Sequence, residues 1–131
     1  MIHFHNFTQF IEWPINTPSE NFKIGVVGAN TIFQVFVSLS KDNKIKSRKI
    51  SIDYMDGIPT NNYQILYISN DKKVLLNPVI KKIKNYSTLV ITEWSNAAKQ
   101  GSHINFYKTK DHYLRFEVNM SSFKKSKIEI S

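Results

Sequence analysis

Cysteine is absent from this sequence, and its absence excludes structural disulfides, thiol catalysis and metal sites built on thiolates. Long apolar runs are absent as well, since no window reaches the ~18 uncharged apolar residues that a membrane-spanning helix needs. Arginine is scarce, because Arg48 and Arg115 are the only two. Base reading and bidentate phosphate binding favour arginine, so nucleic-acid binding is not expected.

The charge balance is strongly basic. Lys and Arg number 18 against 10 Asp and Glu, which gives a formal net charge of +8. Such a field attracts an acidic protein partner, anionic lipid or nucleic acid. The lysines are spread over several segments, so a solvated lysine-rich surface is the simplest explanation of the charge.

The remaining composition is that of an ordinary globular protein. A hydrophobic content of 41% and a charged content of 21% argue against disorder. A length of 131 residues suits one domain that buries roughly two-thirds of its unfolded surface. We therefore expect a single domain over residues 1–131.

An aromatic-rich segment, MIHFHNFTQFIEWP, opens the chain. It lacks lysine and arginine and contains Glu12, so it does not fit a secretory signal. Its apolar residues within 4–11 follow the spacing of an amphipathic helix. Pro14 ends that helix at Trp13, because the residue before proline is pushed out of the α region. The pattern predicts a core helix, with Trp13 covering the hydrophobic cluster.

Apolar runs at 22–27, 50–54, 63–69 and 87–94 predict buried strands. Helices are predicted between them at 31–39, at 70–76 and at 77–84, where Asn77 and Pro78 fit an N-cap and a first helical position. Segment 31–39 is ambiguous, since its β-branched and aromatic content favours a strand. Its apolar spacing and the crossover that a parallel sheet needs favour a helix, which we predict.

Two runs in which apolar and polar residues alternate stand on either side of residues 108–112, and they predict a β-hairpin. In the second run, Leu114, Phe116, Val118 and Met120 are expected to point into the core. Polar residues are expected on the other side, where they form either a solvated face or a recognition surface. These residues are Asn105, Arg115, Glu117 and Asn119. Alternating strands and helices with this terminal hairpin predict an α/β domain with a mainly parallel sheet.

Catalytic and metal-binding patterns are missing. The histidines are His3, His5, His103 and His112, and the first two fall on different sides of a helix. No GxSxG elbow is present, and no Ser or Thr stands in a recognisable context with a histidine and a carboxylate. We therefore expect no metal, no cofactor and no enzymatic activity.

A small-ligand site is the alternative hypothesis, because crevices form at the carboxyl ends of parallel strands. IGVVGAN lacks the GxGxxG and Walker patterns, so Gly28 better suits a tight turn, although the free N–H groups there leave anion binding open. Polar residues follow three of the predicted strands and would line the crevice. They are Gly28, Asn30, Ser69, Asn70, Thr92 and Glu93.

Several short motifs together resemble a known family. They are FIEWP at residues 10–14, Gly101, Ile-Asn-Phe at 104–106, Arg-Phe-Glu at 115–117 and Asn119. Their order and spacing are similar to those of the YfiR-like family of bacterial periplasmic regulators over nearly the whole chain. The resemblance implies a Rossmann-like α/β fold, with helices flanking a mainly parallel sheet, and no enzymatic activity.

The resemblance also implies a location and a partner. Family members are exported, and the founding type holds the periplasmic part of a membrane-bound diguanylate cyclase inactive. Release of that regulator raises cyclic di-GMP and favours biofilm. We therefore expect a periplasmic regulatory protein that represses a diguanylate cyclase, and the alternative is an extracytoplasmic small-ligand sensor. Expected partners are the periplasmic domain of such a cyclase or of a sensor kinase, with a homodimer also open.

The matched motifs supply the remaining expectations. Partner contacts are assigned to Asn105, Arg115, Glu117 and Asn119. A structural role is assigned to Trp13, Pro14, Gly101, Phe106 and Phe116. Family members often carry cysteines, so disulfide-dependent stability is not transferred to this chain. We also expect an export signal to have been removed upstream of Met1 and the C-terminal segment to be shortened at Ser131.

Overall fold

The computed structural model describes residues 11–14, 21–28, 44–45, 48–84 and 86–130. Two short 3₁₀ helices, Asn70–Leu75 and Ala98–Gln100, accompany two α-helices, α1 (Leu76–Ile83) and α2 (Met120–Ser126). The strands in these residues are β1 (Ile11–Glu12), β2 (Phe22–Val27), β3 (Lys44–Ile45), β4 (Arg48–Met55), β5 (Ile65–Ile68), β6 (Leu89–Thr92), β7 (Ile104–Lys108), β8 (Leu114–Val118) and β9 (Glu129–Ile130).

Seven strands form one sheet in the order β3-β4-β2-β5-β6-β7-β8. The strands from β4 to β7 in that order are parallel to their neighbours, whereas β3 and β8 are antiparallel additions at the two edges. The predicted α/β class, the mainly parallel sheet and the C-terminal hairpin are therefore confirmed. The Rossmann-like arrangement stays a prediction, because residues 29–43 of the crossover from β2 to β4 lie outside the described residues. The predicted helix 31–39 falls in that segment.

The central strands are apolar on both faces, as parallel strands covered from both sides must be. All residues of β5 and β6 are buried, and β2 exposes only Lys23. On one face, the side chains of β2, β5, β6 and β7 pack with Ile11, Phe22 and Phe123. On the other face, side chains of β2, β5 and β6 pack with α1 and Trp94. The sheet therefore separates two apolar clusters.

The N-terminal segment departs from its prediction. Ile11 and Glu12 form β1, which pairs antiparallel with β9, so the helix predicted up to Trp13 is wrong for these residues. The rest of that helix, residues 4–10, lies outside the described residues. The strand still buries Ile11, and pairing with β9 satisfies its backbone groups between strands instead of within a helix.

Helix boundaries also differ from the predicted ones. The segment predicted as a helix over 70–76 is a 3₁₀ helix that runs directly into α1. α1 therefore begins at Leu76 without a side-chain cap, and Asn77 does not act as the predicted N-cap. The basic C-terminal stretch from Ser121, whose pattern is ambiguous in the sequence, contributes most of α2 and all of β9.

Candidate functional site

The carboxyl ends of the parallel strands were the predicted ligand crevice. β2 lies between β4 and β5, so the chain leaves β2 first to one side and later crosses to the other. A crevice is expected at such a switch point, between the ends of β2 and β5. Gly28 follows β2 and Ser69 follows β5, and the two residues are indeed neighbours.

The side chains of Ser69 and Asp71 lie beside Gly28 at this switch point. The Ser69 hydroxyl has two acceptors within reach for its single proton, Val27 O at 3.1 Å and the Asp71 carboxylate. A Cβ placed on Gly28 would stand 1.8 Å from Ser69 Oγ, and the φ of 108° at Gly28 already favours glycine. The left-handed backbone at Gly28 fits the predicted tight turn, whose following residues lie outside the description, and the Ser69 hydroxyl lies directly against Gly28.

The other predicted ligand residues lie apart from this pair. Thr92 is fully buried in a hydrogen-bond network with Ser102, whereas Asn70 and Glu93 are exposed. Asn30 lies outside the described residues. The structure therefore brings Gly28 and Ser69 together and does not assemble the full predicted set.

Three tyrosines, in β4, in β5 and just before β5, bond carboxylates instead. Tyr63 donates to Asp53 at 2.8 Å, Tyr54 donates to Asp56 at 2.7 Å, and Tyr67 bonds Glu93. Burial and the bond to Asp53 raise the pKa of Tyr63 to about 12. Burial and the bond to Glu93 likewise raise the pKa of Tyr67. These phenols stay protonated at neutral pH, so they serve as hydrogen-bond donors rather than as bases.

A cleft of about 620 Å³ opens beside the Tyr63–Asp53 pair. Its walls are the end of β4 and the loop that leads to β5, with Ile52, Ile58 and Pro59 among the lining residues. Its volume lies in the range of small-molecule sites. Its lining comes half from the end of β4 and half from the loop that follows, and these residues show no chemical pattern in the sequence.

Asn105 lies in the interior and is fully buried. Its amide oxygen accepts from Thr92 Oγ1 at 2.8 Å and from Trp94 N at 3.1 Å. Its amide nitrogen donates to Trp94 O at 2.7 Å and to Glu117 Oε1 at 3.1 Å. Every hydrogen-bonding group of the side chain is thus used within the chain, and we propose that Asn105 positions neighbouring residues instead of contacting a partner.

Asn119, the second amide assigned to partner binding, caps α2. Its side-chain oxygen accepts from Ser122 N at 3.1 Å, which satisfies one of the free amides of the first helical turn. Its side-chain nitrogen donates to Ala98 O at 2.6 Å. These bonds fasten α2 to the 3₁₀ turn before β7, so the geometry favours a structural role for Asn119 as well.

Arg115 belongs to an exposed patch on the hairpin. It lies opposite Tyr107 in the register of β7 and β8, and its guanidinium stands 5.7 Å from the centre of the Tyr113 ring. Tyr113 is 62% exposed and Tyr107 is 39% exposed. We call Tyr107, Tyr113 and Arg115 the hairpin face. Glu117 lies two residues further along the same side of β8 and is half-buried.

The residues assigned a structural role are placed as follows. Trp13 stacks edge-on against Phe22 at 5.0 Å and donates to Gln64 O at 3.0 Å, so it does cover the core. Pro14 is exposed, and Gly101 ends the 3₁₀ helix with a φ of 116°. Phe106 belongs to the core cluster.

Phe116 corrects an expectation. It shares a side of the hairpin with Phe106, 6.1 Å away, yet it is 62% exposed. β8 is the edge strand of the sheet, so a side chain there can point to the same side as the core residues and still be exposed to solvent. Met120 was also expected inside and is 59% exposed, while the side chain of Leu114 lies outside the description.

His103 is a buried histidine to which the sequence pattern assigned no role. Its Nδ1 accepts from Val90 N at 3.0 Å, and its Nε2 lies 2.8 Å from Ser126 Oγ in α2. The ring also meets Phe123 edge-on at 5.1 Å. Burial lowers the pKa of His103 to about 4, so the ring is neutral near pH 7. His103 thereby joins the sheet to α2.

Among the described residues, no group of three His, Asp or Glu side chains could hold a metal ion. No helix in this part of the chain is long and apolar enough to cross a membrane.

A family profile matches residues 3–131, which is nearly the whole chain. The chain belongs to the YfiR/HmsC-like family. The resemblance drawn from the motifs is therefore confirmed. Members of the YfiR/HmsC-like family are periplasmic regulators of diguanylate cyclases and are regulatory rather than catalytic proteins. They act with the periplasmic domain of a membrane-bound cyclase. A comparison with curated proteins finds no match.

Proposed function

We propose that this protein is a non-enzymatic periplasmic regulator that represses a membrane-bound diguanylate cyclase by binding its periplasmic domain. Repression requires only that the regulator bind the inactive cyclase more tightly than the active one. Bound regulator would lower cyclic di-GMP, and its release would raise cyclic di-GMP and favour biofilm. The family match over residues 3–131 is the observation that carries this proposal.

The hairpin face is the surface that we propose for the partner. Tyr113 and Tyr107 expose aromatic rings, and Arg115 stands over one of them. Tyrosine and arginine dominate the binding energy of many interfaces, because each offers a large contact area together with a polar group. Glu117, held by Asn105, extends the same side of β8 and belongs to the proposed contact.

Charge supports an acidic partner surface. The chain carries a net charge of +8, and the Arg115 side chain on the hairpin face is exposed to solvent. Complementary charge mainly raises the association rate and suppresses binding to wrong partners. Binding to the cyclase domain should therefore weaken as ionic strength rises.

Binding to the isolated periplasmic domain of a diguanylate cyclase from the same genome tests the proposal. The protein should bind at least one such domain, and Tyr113→Ala and Arg115→Ala should each weaken binding about tenfold or more, as interface hot spots do. Tyr86→Ala is the matched control, because Tyr86 is an exposed tyrosine (44%) in the turn after α1. Failure to bind any cyclase domain would contradict the function, whereas equal loss in the Tyr86 variant would contradict only the surface.

The 620 Å³ cleft favours a second candidate function, small-ligand sensing. Its polar groups include the Tyr63 hydroxyl and the Asp53 carboxylate, next to apolar walls from Ile52 and Ile58. A thermal-shift screen of amino acids and nucleotides tests it, because a ligand that binds only the folded protein raises its Tm. A hit that Tyr63→Phe abolishes would support sensing at this cleft, and a flat screen would count against it.

A further inference from the structure

The outer side of β8 has no strand beside it among the described residues. The hydrogen bonds at the ends of the hairpin show which backbone groups face that side. Asn119 N donates to His103 O at 2.9 Å, and Thr109 N donates to Tyr113 O at 2.9 Å. Hydrogen-bonded pairs alternate along an antiparallel ladder, so Arg115 and Glu117 also bond β7.

The backbone groups of Leu114, Phe116 and Val118 consequently point away from the sheet. They offer three N–H and three C=O groups in a row to a further strand. Phe116 stands in the middle of this row and exposes 62% of its side chain. An open strand edge with an exposed aromatic residue at its centre is a template for strand pairing.

The charges beside Phe116 indicate which strand would pair with the outer edge of β8. Arg115 precedes Phe116 and Glu117 follows it, so the strand reads cation, aromatic, anion. When a second copy pairs antiparallel with Phe116 opposite Phe116, each Arg115 lies opposite a Glu117. Two opposite-charge cross-strand pairs then form on one face, and the two phenyl rings meet on the other.

The alternative registers are disfavoured. Outward backbone groups must face outward groups, so the two strands can slide only in steps of two residues. A slide in one direction places Arg115 opposite Arg115, and a slide in the other places Glu117 opposite Glu117. Like charges directly opposite each other destabilise a strand pair. Of these three registers, the one centred on Phe116 alone is free of such repulsion.

We propose that this protein forms a symmetric homodimer in which two β8 strands pair antiparallel, centred on Phe116. The two sheets then continue into one another through about six backbone hydrogen bonds across a two-fold axis. The dimer does not depend on the proposed function. Arg115 and Glu117 take part in both proposed contacts, whereas Tyr113 precedes the paired strand and Phe116 lies on its other side. Tyr113→Ala therefore tests the cyclase surface alone, and Phe116→Pro tests the dimer alone.

Charge exchange tests this geometry with the full chain. Sedimentation of the wild type over increasing concentration should show a reversible dimer. Arg115→Glu places only carboxylates on the strand, and Glu117→Arg places only guanidiniums. Each variant alone should dimerise at least tenfold more weakly, because two attractive pairs become repulsive. An equimolar mixture should restore the dimer, since every Glu then lies opposite an Arg.

Backbone measurements provide an independent test. Amide exchange at Leu114, Phe116 and Val118 should slow as the concentration rises, whereas Arg115 and Glu117 should stay protected throughout. Phe116→Pro removes the central outward N–H, and proline is tolerated at a strand edge that faces solvent, so this variant should fold as a monomer. Far-UV circular dichroism confirms folding of each variant.

Three results would overturn the proposal. They are a wild type that stays monomeric at millimolar concentration, a dimer that survives both Arg115→Glu and Phe116→Pro, and a mixture of the two charge variants that stays monomeric while both are folded. A monomeric wild type whose β8 amides become protected only when a cyclase domain is added would assign the edge to the partner instead.

Discussion

Asn105 binds both backbone groups of Trp94: its side-chain nitrogen donates to Trp94 O at 2.7 Å, and its side-chain oxygen accepts from Trp94 N at 3.1 Å. This pair of bonds copies the exchange between two residues of neighbouring strands. β6 ends at Thr92, so the amide of Asn105 continues the ladder beyond the end of the strand. The same side chain holds Glu117, which ties the edge strand to this point.

Asn105→Leu should lower the free energy of unfolding by about 3 kcal/mol, because the buried N–H and C=O of Trp94 both lose their side-chain partner. Urea unfolding followed by circular dichroism measures the change. Asn70→Leu is the matched control, since Asn70 is exposed. Its change should stay within about 0.5 kcal/mol. Equal effects of the two substitutions would contradict the structural role of Asn105.

Asn119 should contribute to stability through its cap of α2. Asn119→Ala removes the acceptor for Ser122 N and the donor to Ala98 O, and should cost about 1–2 kcal/mol. Asn119→Asp keeps the capping acceptor and loses only the donor, so its loss should be smaller. Thermal unfolding of both variants checks the order. If Asp were as damaging as Ala, the cap would not be the main contribution of this side chain.

His103 should make the stability depend on pH. Its folded pKa of about 4 lies below the ordinary value of 6.5, so between these two pH values the unfolded chain binds a proton that the folded chain does not. Its stabilising contribution is therefore present above pH 6.5 and is lost as the pH falls to 4. The full loss is about 3 kcal/mol.

Urea unfolding at several pH values between 4 and 7 measures this contribution against a variant without it. His103→Asn should flatten the dependence relative to the wild type, even though the variant is less stable at every pH. His112→Asn is the control, because His112 is exposed in the hairpin turn at a φ of 67°, which asparagine tolerates. A wild-type slope retained in His103→Asn would contradict the assignment.

The parts of the fold that the sequence predicts are those where one signal dominates. β5 and β6 are continuous apolar runs, which only a sheet covered on both faces can bury, and the hairpin shows strict alternation. Alternation gives the side to which a residue points but not whether anything covers that side. Phe116 therefore points with Phe106 and yet is exposed, and Asn105 was expected at the surface and is buried.

The candidate site was less predictable than the fold for a related reason. Gly28 and Ser69 lie at the ends of strands that only the observed strand order makes adjacent, and the Ser69 hydroxyl then lies directly against Gly28. The hairpin face is assembled from Tyr107, Tyr113 and Arg115, whose proximity depends on the register of β7 and β8. At the N-terminus, the apolar residues have helical spacing, but Ile11 and Glu12 pair with β9 and form a strand. This contact with a segment distant in sequence is not visible in the local pattern.

The pairing of β1 with β9 joins segments from opposite ends of the chain through two residues on each side. Closing so long a loop costs conformational entropy, and a ladder of two residue pairs forms few hydrogen bonds to offset that cost. This seam should form late in folding and separate first under stress. Because Ile11 and Ile130 lie against the apolar cluster, parting of the seam would admit water to the sheet while its five parallel strands still hold.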